Sequence, residues 1–150
     1  MTALVTMGEG FHNFHHQFPL DYRNGVRFFH YDPTKWLIYF MSKVGIASGL
    51  KRVSRYKILS YRLRGEEEDM KIKYANDAAF LNQIVEPLNT RLTELAENAA
   101  VLDVELTKLK PKKDEASKKH YQQYREQLLA SLKQLKPALK EWRLLKLRHA

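Results

Sequence analysis

Three histidines fall within five positions in the stretch Gly8-Glu9-Gly10-Phe11-His12-Asn13-Phe14-His15-His16, out of six in the 150-residue chain. The spacing of His12, His15 and His16 is i, i+3 and i+4, and on a helix these positions share one face. Neutral imidazoles set this way can converge on one metal ion, or on two a few ångströms apart. Iron, zinc and copper all accept such ligands. A solvated loop rich in aromatic residues and histidine is the alternative reading. Other chemistries find less support. The chain has no cysteine, so disulfides, Cys-type zinc sites and thiolate nucleophiles are excluded. No H-E-x-x-H helix is present, and Gly8-Glu9-Gly10 lacks the third glycine and the preceding strand of a phosphate loop. Glu9 is the one acid close to the cluster, and His30, His120 and His149 lie far along the chain. No Ser-His-Asp arrangement follows from these spacings.

The elements that must position the cluster are helical. Gly8 and Gly10 loosen the backbone ahead of it, and Phe18-Pro19 stops any helix that carries it, because a residue before proline is pushed out of the helical region. One or two helical turns between Phe11 and Gln17 result. A second helix is expected near Pro33, with Thr34 as its cap. It carries Trp36, Leu37, Tyr39, Phe40, Met41, Val44 and Ile46. The apolar run from Trp36 to Leu50 is interrupted by Lys43 and falls short of the roughly 20 residues a bilayer span needs. It reads as an amphipathic, interfacial helix. Met1 to Met7 lacks a basic n-region and does not read as a signal peptide.

Beyond Glu66-Glu67-Glu68-Asp69 the pattern becomes heptad-like. Leu81, Val85, Leu88, Leu92, Leu95, Ala99, Leu102, Leu106 and Leu109 form one seam. Tyr121, Tyr124, Leu128, Leu132, Leu135, Leu139, Trp142 and Leu145 form another. Pro87 predicts a kink or a helix start, Pro111 to Asp114 a break, and Pro137 a bend or early end of the last helix. The short break favours an antiparallel hairpin, or a coiled-coil element, that self-associates or binds a partner. The expected fold is mainly α: a short histidine helix and loop, an amphipathic interfacial helix, then a long antiparallel helical hairpin, with no complete transmembrane core.

Gly8 to His16, followed by Gln17-Phe18-Pro19-Leu20-Asp21-Tyr22-Arg23-Asn24-Gly25, closely resembles the third histidine box of membrane acyl-CoA Δ9 desaturases (stearoyl-CoA desaturases). Tyr31-Asp32-Pro33-Thr34-Lys35 and Trp36 to Ser54 resemble the amphipathic and basic segments after that box, particularly in fungal-type members. The resemblance runs from about Val5 to Ser54. It implies an enzyme of the endoplasmic reticulum membrane with a di-iron centre held by histidines from several boxes. Such an enzyme uses dioxygen to remove two hydrogens from a long acyl-CoA, with electrons from a b-type cytochrome. His12, His15 and His16 would then be iron ligands. The family's first two boxes, its additional histidine, its hydrophobic spans and the His-Pro-Gly-Gly motif of a fused haem domain are absent from these 150 residues. The chain therefore reads as a C-terminal desaturase fragment, inactive by itself, over residues 1–54. A charged linker over 55–76 and a helical hairpin over 77–150 complete the expected organisation. The rival reading is a helical-hairpin interaction module carrying a desaturase remnant.

The formal net charge is +9. Lys51, Arg52, Arg55, Lys57, Arg62 and Arg64 come directly after the apolar segment. Beside a membrane they form a cytosolic basic flank attracted to anionic head groups; a solvated linker is the plainer alternative. Elsewhere the basic residues alternate with Glu and Asp, and no nucleic-acid module is recognisable, so nucleic acid is not an expected partner.

Overall fold

The computed structural model describes residues 12–23, 31–109 and 115–148. These are helical, with no strand among them, and they divide into two units, Met1–Val53 and Ser54–Ala150. The mainly-α expectation holds. No helix among the described residues is long and apolar enough to cross a membrane.

The first unit contains α1 (His12–Gln17) and α2 (Pro33–Lys43). α1 ends where the sequence requires, one residue before Phe18-Pro19. The cap of α2 is Asp32 rather than the expected Thr34: its carboxylate accepts the Lys35 N–H at 2.9 Å. Pro33 explains the offset. Proline suits the first helical position, which leaves the capping role to the residue before it. α2 closes at Gly45, whose φ of +79° is open to glycine at little cost. The Ile46 N–H then reaches back to the Met41 carbonyl at 2.9 Å and satisfies an end-of-helix acceptor.

The second unit is a three-helix bundle where a two-helix hairpin was expected. α3 (Arg55–Lys73) occupies most of the stretch read from sequence as a linker. A short α4 (Ala78–Phe80), capped by Asp77, leads into a π-helical turn, Leu81–Val85. α5 (Glu86–Lys108) and α6 (Glu115–Arg148) complete the unit. Pro87 lacks an N–H and its ring crowds the carbonyl four residues back, at Gln83. That carbonyl lies within the wider π turn, and α5 begins around the proline, as its position suggested.

α5 is the central helix, packed against both α3 and α6. Asn89 donates to the Leu63 carbonyl at 2.8 Å, Arg64 pairs with Glu97 at 2.7 Å, and Ser54 donates to Asp103 at 2.7 Å. From Ser54 beside Asp103, through Arg64 beside Glu97, to Lys71 beside Glu86 at 3.6 Å, the number rises along α3 as it falls along α5, so the two are antiparallel. The core comprises Leu63, Met70, Leu81, Val85, Leu92, Ala96, Leu135, Ala138 and Trp142. Each fully buried large side chain contributes about 1.5–3 kcal/mol.

α6 does not end early at Pro137 but runs on through it to Arg148. Pro137 and Lys133, whose carbonyl loses its helical donor, both lie on the exposed side, where water replaces the missing bond. Leu135, Ala138 and Trp142 flank the proline and are buried, so core packing holds the helix on both sides of it.

Candidate metal centre

α1 puts His12, His15 and His16 on consecutive helical backbone, at i, i+3 and i+4. His16 is exposed. The side chains of His12, Asn13 and His15 lie outside the described residues, as do Glu9, His30 and His149. Among the described residues no group of three His, Cys, Asp or Glu side chains could hold a metal. His120 is exposed on α6, in the other unit. The donor chemistry of the box fits iron, zinc or copper, since a helical H-x-x-H-H sequence offers imidazoles on one face.

Six residues are too few for a helix to persist in water without support. Support begins within the helix, where the Phe14 and Phe18 rings lie 5.1 Å apart. The Phe18 N–H donates to the Phe14 carbonyl, and the Asp21 N–H to the Phe18 carbonyl, both at 2.9 Å. Asp21, whose side chain is fully buried, then fastens this turn. Its Oδ1 accepts the Arg23 N–H at 3.0 Å and Arg23 Nε at 2.9 Å. Its Oδ2 accepts Arg23 Nη2 at 2.7 Å and the Val53 N–H at 2.8 Å. Alongside, the Tyr22 N–H donates to the Lys51 carbonyl at 3.2 Å, and Arg52 donates to the Tyr22 hydroxyl at 2.6 Å. Burial alone would raise the Asp21 pKa. The hydrogen bonds from Arg23 and the Val53 N–H outweigh it and hold the carboxyl below its ordinary value. The same contact raises the pKa of Arg23. Lys35 is pushed down, chiefly by burial and also by the Arg23 charge, against the opposing pull of Asp32.

The described residues of the first unit have inverted polarity. Its buried described side chains are Asp21, Asp32 and Lys35. Trp36, Leu37, Phe40 and Val44 are exposed on one side of α2, with Phe40 62% accessible, and Leu20 and Ile46 are more exposed still. The histidines and the aromatic helix were legible from sequence. Asp21 and Arg23 stood out there only as part of a motif. Asp-Tyr-Arg shortly after a helix-stopping Phe-Pro was the available signal.

The basic flank divides between the units. Lys51 and Arg52 belong to the first. Three of the others, on α3, pair internally: Lys57 with Glu97 at 3.5 Å, Arg64 with Glu97 at 2.7 Å and Arg62 with Glu66 at 3.5 Å.

The chain is 48% identical over 75 residues to acyl-CoA desaturase 1 of Saccharomyces cerevisiae, covering half of this chain and 15% of that protein. It is 62% identical over 50 residues to a probable acyl-CoA desaturase of Schizosaccharomyces pombe, a third of this chain and 10% of that one. Part of this chain is thus similar in sequence to acyl-CoA desaturases. Human stearoyl-CoA desaturase 5 is 41% identical over 64 residues, 43% of this chain and 19% of that one. The chain thus spans between a tenth and a fifth of the length of these curated relatives. No family model matches the chain, and no solved structure does. Among these three the identity is highest to the two yeast proteins.

Proposed function

We propose that the histidine-bearing stretch is the third-box segment of an acyl-CoA Δ9 desaturase. In this reading His12, His15 and His16 are iron ligands in a di-iron centre, with further histidines supplied from other parts of such an enzyme. The observation that carries it is the H-x-x-H-H spacing on helical backbone, in a chain with up to 62% identity to acyl-CoA desaturases. The chemistry that bound iron supplies is dioxygen-dependent removal of two hydrogens from a long-chain acyl-CoA, with electrons from a b-type cytochrome. What this chain's residues do is more limited. The imidazoles hold the metal, Pro19 ends their helix, and Asp21 ties that helix to the segment after α2.

Three imidazoles leave the ligand set incomplete, and coordination number is part of what a protein contributes to metal catalysis. These 150 residues alone are therefore inactive. The same reading puts the first unit at the cytosolic face of the endoplasmic reticulum membrane. Its support is the exposed Trp36, Leu37, Phe40 and Val44 face beside Lys43, Lys51 and Arg52, since aromatic and basic side chains suit the bilayer interface.

A segment exchange tests the function. Residues 5–54 replace the corresponding residues of the Saccharomyces cerevisiae acyl-CoA desaturase 1 in cells lacking that protein, and fatty acyl composition is measured by gas chromatography. Restored monounsaturated chains are expected from the exchange, and none from the 150-residue chain alone or from an exchange with His12, His15 and His16 all changed to alanine. A triple-alanine exchange that still desaturates overturns the ligand assignment. Desaturation by the 150 residues alone overturns their inactivity.

A second reading is favoured by the separate hydrophobic core of Ser54–Ala150, an interaction module that self-associates. Sedimentation of the full chain tests it: a monomer at all concentrations refutes self-association.

A further inference from the structure

We propose that Asp21 is a positioning residue for the histidine helix, its buried carboxylate locking the exit of α1 to the backbone at Val53. The inference rests on the reading of α1 as the metal-bearing element and adds the residue that holds it in place. The link is continuous. The Phe14 carbonyl accepts from Phe18, the Phe18 carbonyl from Asp21, and the Asp21 carboxylate from Val53. His16 lies five residues before the lock, and the Tyr22 to Lys51 bond runs beside it.

The carboxylate is matched to its place. Each oxygen accepts two hydrogen bonds, from the backbone and Nε of Arg23 at one and from Arg23 Nη2 and the Val53 N–H at the other. An asparagine there offers one acceptor oxygen and turns its NH2 toward two donors. Four donors converge on a group with no accessible surface. The first unit also has no buried hydrophobic side chain among its described residues that could hold α1 instead.

The test uses the full chain. Amide hydrogen exchange, without metal, tracks the N–H groups of Phe18 and Asp21. Titration with Co2+ reads the ligand-field absorption of a His-bound ion. Asp21→Asn is expected to speed exchange at both amides about tenfold and to weaken Co2+ binding about tenfold, the low end of what is lost when groups that orient metal ligands are removed. Arg23→Gln, which spares the Val53 bond, gives a smaller change in both. Glu66→Gln, in the other unit, changes neither. Circular dichroism confirms that each variant keeps its helices. Unchanged exchange in Asp21→Asn overturns the proposal whether or not metal binds. Faster exchange with unchanged Co2+ affinity and spectrum reduces Asp21 to a merely structural role and also overturns it. If the unaltered chain takes up no Co2+, metal binding by these 150 residues alone is refuted, while the exchange result still decides the position of α1. A variant that loses its helices altogether is replaced by Val53→Pro, which deletes the single donor from the far side and is expected to speed the same two amides.

Discussion

Glu66 is the residue whose removal most directly tests the second unit. It sits on α3 in the acidic run Glu66 to Asp69, yet its side chain is only 23% exposed. Its Oε2 accepts the indole N–H of Trp142 at 2.7 Å and lies 2.8 Å from Lys146 Nζ. Trp142 is 1% exposed, so loss of this acceptor strands a buried donor. For Glu66→Ala that stranding is worth about 1–3 kcal/mol. The Lys146 pair is a third exposed on the lysine side, so solvent discounts it to at most about 1 kcal/mol. Glu66→Ala therefore destabilises by about 1–4 kcal/mol. Glu66→Gln keeps an amide oxygen for the indole and loses about 1 kcal/mol or less. Urea denaturation monitored by circular dichroism measures both, with Trp142→Phe and the double variant closing a cycle. Trp142→Phe with Glu66→Ala should be less than additive by about 1 kcal/mol or more, the signature of a direct bond. Equal stability of the alanine, glutamine and unaltered proteins, or strict additivity of the pair, would refute the reasoning.

The same geometry sets three other outcomes. Glu66 is held below its ordinary value near 4.5: burial opposes ionisation, but the bonds from Lys146 and Trp142 and the charges of Lys146 and Arg62 prevail. Its contribution is then complete above that value and lost as pH falls through the lower folded value, so Glu66→Gln should flatten the acid limb of a stability-against-pH curve. Pro137→Ala, at an exposed position inside α6, should stabilise by about 1–3 kcal/mol by restoring the Lys133 bond, read from the urea midpoint. Changing Trp36 and Phe40 together to serine should cut sedimentation with vesicles of anionic phospholipid at least tenfold while leaving urea stability within about 0.5 kcal/mol, since both side chains already face outward.

The hairpin of α5 and α6 was legible because its leucines recur at heptad spacing and its turn is marked by Pro111. α3 was not, for a physical reason. Tyr56, Leu59, Leu63, Met70 and Tyr74 keep the same stripe, but the position between Leu63 and Met70 is Glu66. A charge at a seam position in the middle of an acidic run reads as a solvated linker. It becomes a half-buried packing residue only once Trp142 and Lys146 arrive from α6, 76 and 80 residues away, with a donor and a positive charge. The long-range partner decides the helix, and local pattern cannot supply it. Pro137 shows the reverse case. Its local rule was correct about the lost hydrogen bond, but the loss falls on the watered face while the neighbours on the other face are buried, so the helix continues.

The candidate site divides in the same way. H-x-x-H-H needs only local spacing, and the short helix around it is bounded by Phe18-Pro19. The lock at Asp21 needs a partner 32 residues on, at Val53, which is a backbone N–H and leaves no trace in residue type. The inverted polarity of the first unit joins these two facts. The described residues of this unit, which bury Asp21, Asp32 and Lys35 while exposing Trp36, Leu37 and Phe40, gain little from the hydrophobic effect among themselves. What joins them is a set of directional bonds to buried carboxylates, which fix angles as well as distances. A histidine helix held by such bonds keeps its orientation relative to the Val53 backbone, and the exposed apolar side chains of α2 remain available for an apolar surface. Removing the exposed aromatics should therefore alter what the unit binds, whereas removing the Asp21 carboxylate should alter how its histidines are held.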